Sequence, residues 1–427
     1  MDEPLGLRIA RGLLGLGAII GLAWAFSARR SAVDWPLVGK GLSLQVIFAF
    51  LVLRTGWSRA FFSTVNDAFV ALVGYTKEGA HFVFGALVDG AAPVDGGGML
   101  VFASQIAFFV LPTIVFFSSL MALAYHLGIM QRVVRGVAWV MVRTLRTSGA
   151  ETTSAAGNIF VGQTEAPLLV RPFVRDMTMS ELNTVMTGGF ATVAGGVMAA
   201  YVAMLSGYFP TIAGHLLAAS VMAAPAGIVV SKILLPETGE PATRGALQSE
   251  PERTHVNAID AAAGGAADGL VLALNVGAML IAFLALIALL NGILGGVGGL
   301  FGLEGLTLER LFGWVFAPVA WVLGVPWSDA AQVGSLFGIK IVATEFVAFQ
   351  TLAGSLAAGT PIGYKSLIIL TYALTGFASF AAIAIQIGGI GGIAPSRRHD
   401  LSRLGLRAMI GGTMATWMTA TLAGVLV

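Results

Sequence analysis

The sequence predicts an all-α polytopic membrane protein with an inverted repeat: about eight transmembrane helices, two re-entrant helical hairpins and an interfacial helix. Three observations predict it. Of the 427 residues, 57% are hydrophobic and 11% charged, against about 25% charged in a soluble domain, so lipid is the solvent. Apolar runs of roughly 20 residues, enough to cross the hydrocarbon core, recur along the chain. A short polar motif also occurs twice, as Val161-Gly-Gln-Thr-Glu165 and Val342-Ala-Thr-Glu345. Each copy precedes a hydrophobic helix interrupted by small residues, Gly189-Phe-Ala-Thr-Val-Ala194 and Gly376-Phe-Ala-Ser-Phe-Ala381. An acid used twice beside paired discontinuous helices is the pattern of a secondary transporter.

The spanning runs are Leu7 to Phe26, Trp35 to Leu53, Leu100 to Leu127, Met179 to Leu205, Thr211 to Leu235, Ala258 to Leu294, Leu367 to Ile387 and Leu406 to Val427. The first is longer than a signal-peptide core and lacks a small-residue cleavage site, so it is an anchor. Arg29, Arg30 and Lys40 flank the first connection, and Arg397, Arg398, Arg403 and Arg407 the last. Both loops are therefore expected in the cytoplasm, with both termini outside, in a plasma (bacterial inner) membrane. Pro236 to Asn257 is expected to be a flexible cytoplasmic loop.

Other segments do not read as simple spans. Ser58 to Leu87 carries Asn66, Asp67, Lys77 and Glu78 among apolar residues, as an interfacial helix does. Ile129 to Arg146 places Arg132, Arg135, Arg143 and Arg146 on a basic amphipathic helix. Glu151 to Val174 and Asp329 to Leu352 are too polar at their centres for lipid and read as the re-entrant hairpins. The expected organisation is scaffold helices over 1–148, a first transport repeat over 149–257, a scaffold helix over 258–304 and a second repeat over 305–427.

A carboxyl group at membrane depth costs about 2.5–3.5 kcal/mol on insertion scales, so Glu165 and Glu345 need partners or a task. Around the first, Gly162 permits close backbone approach, Gln163 and Thr164 supply donors and acceptors for a neutral polar solute, and Pro167 frees a carbonyl. The plainer alternative makes Glu165 a helix cap or the partner of Arg171 or Arg175. A sodium site is also available from neutral oxygens: Asn158, the carbonyl of Val161, Thr192 and the carbonyl of Val193.

Several classes are excluded or disfavoured. A net charge of +2 with basic residues at span ends gives no nucleic-acid face. The absence of cysteine removes thiolate chemistry, and the five histidines lack ligand spacing. No organic cofactor is expected. Two intramembrane acids also suit a membrane hydrolase, but such a dyad shares a proton between adjacent carboxyl groups, and these two stand in separate repeats.

The motifs Ala156-Gly-Asn158-Ile-Phe-Val-Gly-Gln-Thr-Glu-Ala-Pro-Leu-Leu-Val-Arg-Pro172, Gly188-Gly-Phe-Ala-Thr-Val-Ala-Gly-Gly196, Asn275-Val-Gly-Ala-Met-Leu-Ile-Ala-Phe283, Glu345-Phe-Val-Ala348 and Ile390-Gly-Gly-Ile-Ala-Pro395 closely resemble the concentrative nucleoside transporters. The resemblance covers nearly the whole chain. It implies a homotrimer that imports nucleosides with sodium or protons. It also implies that Gly162, Gln163, Thr164, Glu165 and Val197 face the nucleobase, that Glu345 accepts from ribose hydroxyls with Phe377 lining the site, and that Asn158, Val161, Thr192 and Val193 hold sodium. The departures fall on the sugar side. Thr344 and Ser379 stand where the family usually has Asn, Phe349 where it has Tyr, and Ala382 where it has Ser. The preferred nucleoside, the need for ribose, and a nucleobase as cargo stay open at this point.

Overall fold

The computed structural model describes residues 4–89, 91–94, 98–101, 106–244, 255–303 and 305–427. It is almost entirely helical. The N-terminal part contains α1 (Leu5–Ala25), α2 (Trp35–Arg54), α3 (Gly56–Phe84), α4 (Leu111–His126) and α5 (Ile129–Leu145). Between α3 and α4 lies an antiparallel two-stranded ladder, β1 (Ala91–Val94) with β2 (Gly98–Val101), which the sequence did not suggest. Then come α6 (Gly149–Gly157), α7 (Arg171–Val174), α8 (Met179–Ala191), α9 (Gly195–Leu205), α10 (Ile212–Leu234) and α11 (Ala258–Leu300). The chain continues through α12 (Leu308–Val322), α13 (Trp327–Val342), α14 (Glu345–Ala357), α15 (Tyr364–Leu374), α16 (Phe380–Ile393) and α17 (Arg398–Leu426).

Among the described residues, 7 helical stretches are long and apolar enough to cross a membrane, or 8 if the bent pair α12–α13, folded at 118°, is one span. Seven of the eight expected runs are among them, the last beginning at Pro395 rather than Leu406, whereas the expected run Leu367 to Ile387 is broken at 375–379 into the shorter helices α15 and α16. The third begins at Ile106, because Leu100 and Val101 belong to β2. The sixth extends to Leu300, giving a 43-residue helix about 65 Å long, far beyond the hydrocarbon thickness. The helix α12 is an addition: Pro318 and the charged start at Glu309 and Arg310 hide it from a hydropathy reading.

Burial separates two sets of spans. Met179–Leu205 is 83% buried, α10 89% and the last span 78%, whereas α11 is 11% buried and α1 17%. The broken helix Met179–Leu205 is thus inside protein, where interrupted backbone is tolerated, while α1 and α11 lie largely on the outside. On α11, Gly265 and Gly269 lie against Ser118 of α4, close enough that a Cβ would collide.

Two inner helices, α6 and α8, start with side-chain caps that satisfy their first amides. Ser148 and Thr178 form reciprocal capping boxes with Glu151 and Glu181. The amphipathic reading of 129–146 corresponds to α5, which buries Met130, Val134, Ala138 and Met141 beneath the α6 region while Arg143 stacks on Trp139 at 4.8 Å. The interfacial segment corresponds to α3, whose end carries Lys77 at 2.8 Å and His81 at 2.9 Å from Asp89.

The expected flexible loop after α10 differs in its first part. Thr243 accepts from Gly149 N through its carbonyl (2.8 Å) and from Ala150 N through Oγ1 (3.1 Å), and Glu237 accepts from Thr178 Oγ1 at 2.8 Å. This strap ties α10 to the starts of α6 and α8. Residues 245–254 of that loop lie outside the described residues.

Candidate functional site

Four helix interruptions build the site. After α6 the chain runs through tight turns over 158–165, where Phe160 N and Val161 N both donate to Gly157 O at 3.0 Å and Ala166 N donates to Gly162 O at 3.0 Å. Between α8 and α9, residues 192–194 leave the helix, and the first amide of α9, Gly195 N, donates to Phe160 O at 3.1 Å. Between α15 and α16, residues 375–379 are non-helical, with Gly376 at φ +145°. A Cβ on Gly376 would lie 2.7 Å from Phe190 O and 3.0 Å from Ala191 C, so the two broken helices touch at their breaks. Lys340, fully buried, donates to Ala373 O at 2.7 Å and Thr416 Oγ1 at 3.4 Å, satisfying a carbonyl that the second break leaves free.

The fourth interruption is short. The helix α13 ends at Val342, and α14 begins at Glu345 after Thr344, whose hydroxyl accepts from Val347 N at 3.3 Å. Glu345 is thereby set in a first helical turn, where a carboxyl group faces the positive end of the helix dipole. Tyr201 donates to its Oε1 at 3.0 Å. The Tyr201 ring packs on Phe349 at 4.3 Å and on Phe346 at 5.6 Å.

A cavity of about 500 Å³ opens among these breaks, and Gly162, Gln163, Thr164, Glu165, Val197, Glu345, Phe377 and Ser379 all line it. Every residue expected to meet the solute is therefore gathered around one space. Glu165 takes the N-cap position of the 3-10 turn Ala166–Val170 without making a side-chain cap bond, which sets aside the capping alternative. Its carboxyl lies against Gly162, where a Cβ would overlap Glu165 Oε2. Asp268, Asn275 and Met279 of α11 line the cavity too. The sequence reading gave them no role because they sit in a helix taken as scaffold.

The expected cation ligands gather next to this cavity. Asn158 is fully buried, and neither Oδ1 nor Nδ2 finds a partner among the described residues. Its Nδ2 lies 3.3 Å from where a Cβ on Gly188 would be. Thr192 Oγ1 donates to Gly188 O at 3.0 Å, which leaves the oxygen's lone pairs free to accept. Val193 is fully buried in the same break, and Val161 sits in the adjoining turn. An unsatisfied buried amide beside non-helical carbonyls and an accepting hydroxyl is a donor set that suits a hard monovalent cation.

Two replaced sugar-side residues have local tasks. Thr344 caps α14, and Ser379 caps α16 by accepting from Ala382 N at 3.4 Å. Each hydroxyl spends an acceptor on the backbone and keeps its proton for donation.

Paired breaks inside a helical shell, with acids and amides around a shared cavity, define a membrane carrier. The chain matches "Na+ dependent nucleoside transporter N-terminus" over residues 14–87, "Nucleoside recognition" (the Gate family) over 107–208, and "Na+ dependent nucleoside transporter C-terminus" over 215–424. It is 44% identical to the Bacillus subtilis uncharacterized transporter YutK, over 99% of this chain and 100% of that protein. It is 40% identical to the mouse sodium/nucleoside cotransporter 1, over 96% of this chain and 63% of that longer protein. Among solved structures, CNTnw in an inward-facing substrate-bound state superimposes with a TM-score of 0.88 at 41% identity, covering 98% of each chain. A doubly substituted CNTnw in an outward-facing state gives 0.91 at 42%, covering 99% of each. The chain belongs to the Na+-dependent concentrative nucleoside transporters. It is a transporter and not an enzyme, which removes the hydrolase alternative.

Proposed function

We propose that this protein imports nucleosides into the cell by sodium-coupled alternating access. The convergence of Gly162 to Glu165, Val197, Glu345, Phe377 and Ser379 on one cavity is the observation that carries this reading. Glu345 accepts hydrogen bonds from sugar hydroxyls through the oxygen that Tyr201 does not engage. Gln163, Thr164 and Glu165 meet the base edge, and Val197 and Phe377 pack on its faces. With Thr344 and Ser379 both capping helices, the sugar is held by fewer side-chain groups than the family pattern supplies.

Coupling follows from shared backbone. Asn158 and Val161 begin the turn that ends in Glu165, and Thr192 and Val193 occupy the break bonded to it through Gly195 N and Phe160 O. Sodium bound there orders the turn that faces the solute, so each raises the affinity for the other reciprocally. The segments 149–257 and 305–427 move as transport repeats against 1–148 and 258–304. The likeness to CNTnw in both inward-facing and outward-facing states supports such exchange. The exposed apolar face of α11, with Ile281 76% and Leu289 60% exposed, suits contacts in a homotrimer within the inner membrane. Both termini lie outside in this scheme.

The test is uridine uptake into proteoliposomes under an imposed sodium gradient. Sodium-driven accumulation above that with choline is the expected result. Equal uptake with sodium, with choline plus a proton gradient, and with neither removes the proposal.

A further inference from the structure

The amide of Gln386 lies inside α16, fully buried between isoleucines, in a helix otherwise built of apolar residues and glycine. Its Nε2 donates to Met186 O at 3.1 Å and to Gln163 Oε1 at 3.0 Å. A backbone carbonyl can only accept, so the Gln386 atom beside Met186 O must be the nitrogen. That nitrogen then requires the Gln163 atom facing it to be the oxygen. Gln163 has its NH2 left for the cavity it lines.

Two further features fit this relay. Glycine at 189 makes room for it: a Cβ there would lie 2.8 Å from both Gln386 Nε2 and Gln163 Cβ. Gln386 Oε1, by contrast, has no partner among the described residues. A buried amide with an unsatisfied acceptor is costly, and all of its return comes through the NH2 that fixes Gln163.

We infer that Gln386 is a positioning residue for substrate selectivity: by holding Gln163 Oε1 it makes Gln163 present N–H donors to the solute. The carrier therefore favours a base with a carbonyl oxygen at that edge over one with an amino group. This deepens the nucleoside-uptake reading and rests on it.

Uridine and cytidine differ at C4, carbonyl against amino, and at N3, N–H against a bare acceptor; with the Gln163 donors facing C4, the ratio of their initial uptake rates under a sodium gradient is the measurement. The native carrier prefers uridine. Gln386→Leu frees the Gln163 amide to turn over and brings the ratio toward one by about fivefold, the scale of one net hydrogen bond. Gln163→Glu keeps an acceptor for Gln386 but turns an acceptor toward the cavity, and it shifts preference to cytidine. A native ratio at or below one, or a Gln386→Leu ratio equal to the native ratio, overturns the positioning role while transport itself stands. If Gln386→Leu does not fold, Gln386→Met, which keeps the side-chain length and lacks the NH2, decides by the same ratio: a fall toward one supports the proposal, and the native ratio overturns it. No uptake of either nucleoside by the native carrier overturns the transport reading, and this inference with it.

Discussion

The phenol of Tyr201 donates to Glu345 Oε1 at 3.0 Å, joining the second half of one broken helix to the first turn of another. Removing the hydroxyl leaves a buried acceptor unsatisfied, at about 1–3 kcal/mol. Tyr201→Phe is expected to lower kcat/KM for uridine uptake by about five- to a hundredfold, with unchanged expression and oligomeric state. Glu345→Gln has a larger effect of the same kind. Native kinetics in Tyr201→Phe would show that the bond serves packing alone.

Gly162 leaves the space that the Glu165 carboxyl occupies. Gly162→Ala fills it and displaces that carboxyl from the cavity wall. Uptake is expected to fall about tenfold, the scale of one net hydrogen bond to the solute. Solute titrations of the purified protein, read by a thermal shift, check this. A ligand-induced shift equal to the native one contradicts it.

Asn158 brings two buried, unpartnered amide atoms to the cation ligands. Asn158→Ala is expected to raise the half-saturating sodium concentration for uptake about tenfold, the scale of one charge-assisted contact. Initial rates against sodium at fixed uridine measure it. An unaltered sodium curve places the ion elsewhere.

Lys232 pairs with Glu151 at 2.8 Å and with Glu237 at 3.3 Å, and the first pair is almost wholly buried. Lys232→Met strands a buried acid, a change that costs about 3–5 kcal/mol. The melting temperature in detergent should drop by several degrees. The double variant with Glu151→Gln should recover most of it, because glutamine keeps the capping box.

At the end of α3, the Lys77 ammonium hydrogen-bonded to Asp89 holds that carboxyl below the usual aspartate range, with His81 adding to the effect. The contact is complete above the ordinary aspartate value of about 3.9 and is lost as pH falls through the lowered one. Lys77→Met should move the Asp89 titration upward in carbon-detected NMR.

Hydropathy made the spans legible, and the repeated Thr-Glu pair made the cavity legible, because both are local patterns repeated along the chain. The remaining features depend on contacts between distant segments. Tyr201 reads as an ordinary aromatic residue in an apolar helix until Glu345, 144 positions later, comes against it. Gln386 did leave a trace, one amide in an apolar run, but its partners Met186 and Gln163 are about 200 positions away. The strap at Thr243 was hidden by composition. Pro, Glu and Ser indicate a loose loop, and only the fold supplies the free amides of Gly149 and Ala150 that bind it.

The single bond from Gly195 N to Phe160 O works as a latch. No helix of its own offers either group a substitute, and Gly195 is buried. The solute-facing turn and the ion-facing break must therefore travel as one piece, which disfavours slippage, the uncoupled leak of either cargo alone.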